Sequence, residues 1–448
     1  MSFFGQETLI KTLFIMLEFK FYEVQMNRPA ILLILTLVVL VAGGLFGSLS
    51  SANFFPDPGP DLPRIYIRND GSVKPETVPI ERTGNLYKLK SNVVHYTIEI
   101  QRDNIVLDGA EYSILGNASR IKGYDDGNNG VILNGRNNVN ITRLNFEQGD
   151  TGIRISGSSN ISVIDNTFSN GLLTGIILQD STQVLIENNE FTDLQTDIDV
   201  PSVRLNGSKN TFRNNTLTGN AYGVEISGSS NVVTDNKIEI ASQSVRLGAS
   251  DSNIIAGNKI TGDLSLVGCS NNIILGNNLT GVRMLLGSNN TFFGNHIVNH
   301  LSLGAIEFTE WAVNNTFYGN NFAAGSKVRF NDAGPIFWDN GTIGNYWEDY
   351  NETDNNGDGI GDSPYVIAGI KWDNDIGGDV SFAADQDNYP LMTPFEIPLT
   401  PTPSPEPQQD PEPFSTTIVV ASVITVVVVS IGLLVYFKKR KVRSGNKT

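Results

Sequence analysis

A six-residue motif, Asn-x-x-x-Gly/Asn/Asp-Asn, followed by any residue and then an apolar one, recurs with drift nine times between residues 138 and 322. Its last Asn stands at Asn145, Asn166, Asn189, Asn215, Asn236, Asn258, Asn277, Asn295 and Asn320. Successive steps are 21, 23, 26, 21, 22, 19, 18 and 25 residues, with a mean of about 22. Because a period in this range is typical of stacked repeat units, the sequence predicts a solenoid.

The pattern of residue types within one period indicates which kind of solenoid the chain forms. Short β-branched runs are separated by Gly, Asn, Ser and Asp, and apolar residues do not recur at helical spacing. In one period the runs begin at Gly223, Asn231 and Lys237, and each alternates between inward and outward positions. Three short strands per period predict an all-β, right-handed parallel β-helix. We interpret the Asn column as structural, because Asn tolerates left-handed φ at a corner and stacked amides can hydrogen-bond from turn to turn.

Composition narrows the partners of the chain. The 448 residues include 47 acidic and 31 basic ones, and the formal charge of -16 argues against nucleic acid as a partner. A single cysteine, Cys269, excludes an internal disulfide framework. We expect it to be a small buried residue on a strand.

Two apolar segments bracket the repeats. Residues 30–49 have the layout of a secretory signal, although an uncleaved anchor would give the same orientation. Residues 416–437 carry no charge, are long enough to span a bilayer and precede a basic tail. We therefore expect a single-pass protein of the cell membrane, with an extracellular β-helix and a cytoplasmic C-terminus.

The predicted segments, in chain order, are an N-terminal extension with signal peptide or anchor (1–52), an N-terminal cap (53–103), β-helix repeats (104–335), a C-terminal acidic module (336–395), a Pro-rich linker (396–415), a transmembrane helix (416–437) and a basic tail (438–448).

A second column lies eleven to thirteen residues upstream of the ladder Asn. Its outward positions are Arg154, Ile177, Arg204, Glu225, Arg246, Ser265, Arg283, Glu307 and Arg329. Opposite charges alternate in two runs, and neighbouring turns of a β-helix lie about 4.8 Å apart. One interpretation is a ladder of exposed ion pairs that fixes the register of the turns. The other is a ligand face for an acidic or hydroxyl-rich glycan, bound by the Arg side chains.

Beyond the repeats, eleven acidic residues between Glu348 and Asp387 are opposed by Lys371 alone. Oxygen ligands at positions one, three, five, seven and nine of a loop would come from Asp354, Asn356, Asp358, the backbone carbonyl of Ile360, and Asp362. This spacing predicts a Ca²⁺ site. Position twelve is Tyr365 instead of the usual Glu, so the closing carboxylate would come from Asp349 or Asp387. The alternative is a solvated acidic turn.

Several of these runs resemble a known family. GNYWEDY from Gly344, the loop 354–362, SPYV from Ser363 and DNYPLM from Asp387 are similar to the closing signature of NosD-type β-helix proteins. Residues 64–73 and 101–109 resemble the usual start of these helices, so the likeness covers about residues 64–392. It implies a β-helix of the carbohydrate-binding and sugar-hydrolase type, and the role of a periplasmic copper-binding maturation protein.

The copper role lacks support in the residues. Copper transport requires clusters of Met, Cys or His. The extracellular part offers only Cys269, Met284, Met392, His95, His296 and His300. His296 and His300 are four apart across a strand and turn, where this spacing does not place two side chains on one face.

The sequence contains no recognised catalytic motif either. The Asp-Asp, Gly-His and Arg-x-Lys set of polygalacturonases is missing, since Asp125-Asp126 lies in an early loop and Lys327-Val-Arg329 is reversed. Glycoside hydrolysis needs two facing carboxylates, whereas Glu225 and Glu307 lie several turns apart. We therefore predict a binding or structural surface protein that recognises glycan or cell-envelope polymer. The alternatives are a polysaccharide hydrolase or lyase with an unrecognised site and, third, a NosD-like copper accessory protein.

Overall fold

The computed structural model describes residues 62–117, 128–194, 200–240, 243–298, 305–309, 311–330, 334–373 and 378–396. Over these ranges the chain forms a right-handed β-solenoid of about 11 turns with roughly 22 residues per turn, which confirms the predicted fold. No helix within the described ranges is long and apolar enough to cross a membrane. The predicted signal segment and transmembrane helix lie outside these ranges.

The strands are short and follow one another in a regular order. The first twelve are β1 (Arg64–Ile67), β2 (Val73–Lys74), β3 (Ile80–Thr83), β4 (Leu86–Leu89), β5 (Val93–Val94), β6 (Thr97–Ile100), β7 (Ile105–Asp108), β8 (Ser113–Leu115), β9 (Asn129–Asn134), β10 (Asn137–Thr142), β11 (Asn145–Ser156) and β12 (Ser159–Ile164).

The next twelve are β13 (Thr167–Thr182), β14 (Leu185–Glu187), β15 (Glu190–Thr192), β16 (Val203–Ser208), β17 (Thr211–Arg213), β18 (Thr216–Thr218), β19 (Tyr222–Ser227), β20 (Val232–Thr234), β21 (Lys237–Glu239), β22 (Gln243–Gly248), β23 (Ile254–Ala256) and β24 (Lys259–Val267).

The last twelve are β25 (Ile273–Leu275), β26 (Asn278–Leu285), β27 (Thr291–Phe293), β28 (His296–Ile297), β29 (Ile306–Phe308), β30 (Asn315–Tyr318), β31 (Asn321–Phe322), β32 (Val328–Phe330), β33 (Ile336–Phe337), β34 (Tyr346–Trp347), β35 (Tyr365–Asp373) and β36 (Gly378–Asp387).

Each turn contributes to three parallel sheets, which we name A, B and C in chain order. Sheet A contains β1, β6, β9, β16, β19, β22, β29, β32 and β35; sheet B contains β4, β7, β10, β12, β14, β17, β20, β23, β25, β27, β30 and β33; sheet C contains β5, β8, β15, β18, β21, β28, β31 and β34. Strands β11, β13, β24 and β26 run through the corner between sheets C and A and belong to both. Antiparallel pairs occur at the ends, where β1 pairs with β2, β3 with β4, and β35 with β36.

The core is a single apolar column inside the three sheets. In most three-residue strands only the middle residue is buried, as the strand period of two requires. On sheet C the inward rings stack directly, with centroids 4.9 Å apart for Phe146 and Phe168 and 4.7 Å for Phe168 and Phe191. Cys269 is buried, as predicted, but it lies in the corner after β24 and not on a strand.

A ladder of buried Asn side chains fills the corner between sheets B and C. It runs through Asn166, Asn189, Asn215, Asn236, Asn258, Asn277, Asn295, Asn320 and Asn345, and each backbone N–H donates to the next side-chain oxygen at 2.9–3.1 Å. The side-chain amide also donates to a backbone carbonyl, as from Asn236 to Phe212 at 2.9 Å. The ladder therefore satisfies corner groups that the strands leave unpaired.

The structure corrects two details of the predicted Asn ladder. Asn145 pairs with Thr167, so the ladder position in that turn is Leu144, and Asn145 instead donates to the carbonyl of Glu111. The mistake arose because the Asn-Phe pair at 145–146 imitates the motif one residue out of register. At the other end, the ladder continues to Asn345, beyond the predicted last copy.

The first Asn of the motif builds a second ladder at the corner between sheets A and B. It consists of Asn210, Asn231, Asn253, Asn272, Asn290 and Asn315, and the backbone N–H of each donates to the side-chain oxygen of the next at 2.8–3.0 Å. The Gly, Asn or Asp before the last Asn of the motif has positive φ, for example Asp235 at 58° and Gly257 at 65°. The whole motif thus encodes one strand of sheet B with both of its corners.

Length variation is concentrated at the corner between sheets C and A. From Arg154 to Asn320, the distance from an outward residue of sheet A to the following ladder Asn is always 11–13 residues. From a ladder Asn to the next outward residue of sheet A it ranges from 6 to 15 residues. The irregular repeat steps therefore come from loops that flank one edge of sheet A.

The predicted end of the repeats at residue 335 is too early. Strand β33 pairs in parallel with β30, and β34 pairs with β31, so residues 336–347 continue sheets B and C. Strand β35 then pairs with β32 and closes sheet A, while Tyr365 stacks on Trp347 with ring centroids 4.4 Å apart. Much of the predicted acidic module is thus the last turn and C-terminal cap of the β-helix.

Candidate ligand-binding face

The outward column predicted from the sequence lies on sheet A in the predicted register. Consecutive partners are Arg154 and Ile177, Ile177 and Arg204, Arg204 and Glu225, Glu225 and Arg246, Arg246 and Ser265, Ser265 and Arg283, Arg283 and Glu307, and Glu307 and Arg329. Towards the N-terminus the column continues through Ile132 to Glu99. One face of the molecule therefore carries all nine side chains.

Both charged runs form ion pairs between adjacent turns. The Glu225 carboxylate pairs with Arg204 Nε at 2.8 Å and with Arg246 Nη1 at 3.5 Å, and its side chain is 19% exposed. The Glu307 carboxylate pairs with Arg283 Nε at 2.8 Å and lies 3.9 Å from Arg329 Nε. Each such half-buried pair contributes about 0–1 kcal/mol to the free energy of unfolding. The pairs therefore fix the register of adjacent turns more than they stabilise the fold.

Tyr222 lies in the same strand as Glu225 and is buried at the edge of the face. Burial raises the pKa of its hydroxyl to about 12, and Glu225 adds to the rise while Arg246 opposes it. The hydroxyl therefore stays protonated at neutral pH.

A surface cavity of about 480 Å³ opens on this face between two arginines. It is lined by Arg154, Ile177, Leu178, Gln179, Arg204 and Asn206. Arg154 Nη2 donates to Gln179 Oε1 at 3.5 Å, and the buried side chain of Ile177 lies between the two arginines in the column. The cavity therefore combines guanidinium donors, amide groups and a small apolar floor.

A second cavity of about 390 Å³ lies further towards the N-terminus on sheet A. It is lined by Asn69, Glu99, Ile100, Gln101, Asn134 and Arg136. Asn134 pairs with Ser156, and Ser156 pairs with Gln179, so one row of uncharged polar residues connects the two cavities. Sequence reasoning missed this row, although it stands two residues beyond the charged column in each turn.

The spacing of the acids limits the chemistry of the column. Glu225 and Glu307 are separated by four rungs, about 19 Å at the usual interval between strands. Glycoside hydrolysis uses carboxylates roughly 5–9.5 Å apart. Glu225 and Glu307 therefore cannot act together as such a pair.

The predicted Ca²⁺ loop is held by its own backbone. Asp354 accepts from the N–H groups of Gly357 at 2.7 Å and Gly359 at 2.9 Å, and Asp358 accepts from that of Ile360 at 2.9 Å. Asp362 accepts from the backbone N–H of Asn355 at 2.9 Å. Backbone N–H groups therefore hydrogen-bond to all three carboxylates of the loop.

The two carboxylates expected to complete the Ca²⁺ site, Asp349 and Asp387, form their hydrogen bonds with residues outside this loop. Asp349 accepts from Tyr365 Oη at 3.0 Å, whereas Asp387 is buried and accepts from Asn345 and Trp347. Within the described ranges no three His, Cys, Asp or Glu side chains converge to hold a metal ion. His296 is exposed, while His300, Asp125 and Asp126 lie outside the described residues.

Fold and surface together define the class: a right-handed parallel β-solenoid with one charged, grooved outer face. Residues 103–260 match the family model "Right handed beta helix region", and residues 195–352 match "Periplasmic copper-binding protein (NosD)". These two matches, together with the β-solenoid fold, support the NosD-type right-handed parallel β-helix family that the resemblance predicted. The copper-binding description applies to the namesake of that family model.

Three solved structures illustrate the likeness of fold. A point mutant of the periplasmic alginate epimerase AlgG is 15% identical, with 60% of this chain and 80% of that chain covered and a TM-score of 0.42. PfbA, a surface adhesin of Streptococcus pneumoniae, is 13% identical, with 69% and 89% covered and a TM-score of 0.45. The catalytic domain of a GH87 α-1,3-glucanase is 14% identical, with 55% and 56% covered and a TM-score of 0.44.

At these identities and TM-scores the likenesses carry no information on ligand or activity. No curated protein matches the sequence.

Proposed function

We propose that this protein is a membrane-anchored surface protein that binds a glycan or cell-envelope polymer along the outer face of sheet A. The observation that carries the proposal is the cavity between Arg154 and Arg204, with Ile177 as its floor and Gln179 and Asn206 at its side. Ligand sites combine an apolar surface with a few placed polar groups, and sugars present both kinds of surface. Guanidinium groups also suit carboxylate or sulfate substituents.

The face favours an extended ligand that lies parallel to the solenoid axis. Side chains of one column repeat about every 4.8 Å, so a polymer along the axis meets a similar environment at each rung. The polar row through Asn134, Ser156 and Gln179 continues between the two cavities without a charged residue. A chain of hydroxylated units could therefore contact both cavities at once.

The anchor is proposed from the sequence. The uncharged segment 416–437 and the basic residues after it support a membrane anchor with the β-helix on the outer side, and the Pro-rich composition of residues 396–415 is typical of an extended spacer. Such a position suits contact with envelope polymers.

The test uses the full-length protein in detergent micelles on an array of acidic and neutral polysaccharides. Any binding polymer is then titrated by calorimetry against Arg154→Ala and Arg204→Ala. We expect each variant to bind at least about tenfold more weakly, because each removes a charge-assisted donor. The matched control is Arg213→Ala on sheet B, an arginine paired with Glu187 at 2.7 Å and of similar exposure. An equal loss in the control, or no binding of the parent to any polymer, would refute the proposal.

The second candidate function, a polysaccharide hydrolase or lyase, is examined with the same material. Incubation with each binding polymer is followed by assays for new reducing ends and for unsaturated products. Binding without turnover selects the binding protein, whereas products that disappear in Arg204→Ala select an enzyme that uses this face.

A further inference from the structure

The corner where sheet A ends requires a left-handed residue in many turns. The position lies four residues before the place of the second Asn ladder, for example Gly268 before Asn272. Seven turns have positive φ there: Gly135 (61°), Gly157 (53°), Asp180 (49°), Ala249 (46°), Gly268 (64°), Leu286 (57°) and Trp311 (65°). The first five are residues that are small or common in this conformation.

Leu286 and Trp311 break this pattern in two consecutive turns. Left-handed φ is costly for a bulky side chain, because Cβ and the backbone crowd each other. Both side chains are also exposed, Leu286 by 50% and Trp311 by 71%, the largest exposed fraction among the exposed large hydrophobic residues of the described ranges. Backbone strain and solvent-exposed apolar surface are two separate costs, and burial in the fold offsets neither. An outlier of this kind points to a contact outside the chain.

The two residues adjoin the second charged run of the candidate face. Thr309 donates its backbone N–H to the carbonyl of Met284 at 2.9 Å, which places the ends of these two strands side by side. Arg283 and Glu307, paired at 2.8 Å, lie in the same two strands. The apolar pair therefore stands at the edge of the surface proposed to bind polymer.

We propose that Trp311, with Leu286 beside it in the preceding turn, forms an apolar stacking subsite for a sugar ring of the bound polymer. The inference rests on the proposed function and adds a second contact region to it. A sugar ring offers an apolar C–H face to an aromatic ring and hydroxyl groups to charged neighbours such as Arg283 and Glu307.

A protein partner fits this surface less well. Stable protein interfaces cover about 800 Å² on each partner. The corner residues that follow Leu286, namely Gly287, Ser288 and Asn289, are small or polar. The apolar surface at this corner is thus the size of a ring and its immediate neighbour.

The subsite also sets a length requirement. Five rungs separate Arg204 from Glu307, about 24 Å along the axis at the usual strand interval. A polymer that contacts both the cavity at Arg204 and the ring of Trp311 must span this distance. Short oligosaccharides can occupy only one of the two regions.

The experiment measures affinity and melting temperature together in the full-length protein. Trp311→Gly should weaken binding of the polymer about tenfold and raise the Tm by roughly 1–3 °C, because glycine removes the left-handed strain. Trp311→Tyr should keep most of the affinity, since it retains an aromatic face. The matched control is Ala249→Gly, which makes the same backbone change at the same corner and should leave affinity unchanged.

Val366→Ala provides a second control, because Val366 is 57% exposed elsewhere on the molecule. Parent affinity in Trp311→Gly while Arg204→Ala loses binding would overturn the stacking subsite and leave the proposed function intact. A lower Tm in Trp311→Gly would overturn it as well, by showing that the ring supports the fold. Absence of binding by the parent to any polymer would overturn both proposals.

Discussion

Two columns run the length of this β-helix with one residue per turn, and they obey different rules. The buried column between sheets B and C is Asn in nine consecutive turns from Asn166 to Asn345. The outward column of sheet A changes from Arg to Ile, Glu and Ser within the same turns. Each buried amide faces the same unpaired backbone groups, so one side chain fits every turn. The outward positions lie on the outer surface of sheet A and meet no repeated set of unpaired backbone groups, so their identity is open to selection by a ligand.

The largest effect should come from breaking the buried column. Asn236 makes bonds to Phe212 and Asn258 and accepts from Asn215. We expect Asn236→Leu or Asn258→Leu to lower the free energy of unfolding by about 3–5 kcal/mol, because several buried groups lose partners at once. Denaturant unfolding measures this. Asn278→Leu, an exposed neighbour of ladder residue Asn277, is the control and should cost less than about 1 kcal/mol; equal costs would show that the ladder is not structural.

The pH dependence of the end of this column gives the next effect. Asp387 accepts from Asn345 N at 2.6 Å and Trp347 Nε1 at 3.0 Å, and burial raises its pKa from 3.8 to about 6. The folded state therefore binds the proton more tightly, and this contribution to stability is full below about pH 4 and is lost as pH rises towards 6. A shift of this size corresponds to about 3 kcal/mol.

The measurement is the difference in unfolding free energy between the parent and Asp387→Asn from pH 4 to pH 7. Subtracting the variant removes the titration of the other carboxylates. A difference that stays flat across this range would mean that Asp387 is ionised throughout.

The acidic loop 354–362 carries carboxylates that, unlike Asp387, the fold does not bury. If Asp354, Asn356, Asp358, Ile360 and Asp362 bind Ca²⁺, millimolar calcium should stabilise the folded state, by about 2.7 kcal/mol at one hundred times Kd. Scanning calorimetry should show a higher Tm in the parent and no shift in Asp358→Ala. Glu352→Ala, an exposed acid just before the loop, should keep the shift. Without a shift in the parent, the loop is a solvated turn.

The smallest effect should come from the outward column. Glu225→Arg would place three arginines on adjacent rungs, since Glu225 lies between Arg204 and Arg246. We expect it to cost about 1 kcal/mol more than Glu190→Arg on sheet C, and the extra cost should shrink in salt. Glu239 cannot serve as the isolated acid of this comparison, because it pairs with Lys259 at 2.7 Å and Lys237 at 3.0 Å. A salt-independent difference would contradict a Coulombic origin.

Sequence periodicity predicted most of the scaffold, because buried corners repeat the same chemistry. It failed where another residue takes over the repeated position: Leu144 occupies the ladder position beside Asn145, and Val184 precedes Asn210 in the second ladder. The register of the outward column was predictable because the spacing across sheet B is constant. The polar row of Asn134, Ser156 and Gln179 was not predictable, since these three uncharged residues differ from turn to turn and form no charge pattern.

The Asn ladder has a direction. Every rung donates towards the C-terminus from both its backbone N–H and its side-chain amide, and the series ends with Asn345, whose backbone N–H and side-chain amide both donate to Asp387. The amide dipoles are therefore aligned head to tail, and their positive ends accumulate at the last turn. Such chains polarise one another in a low-dielectric interior. A carboxylate, which only accepts hydrogen bonds when ionised, is the side chain that can end this series, whereas one more Asn would carry the unpaired donor one step further.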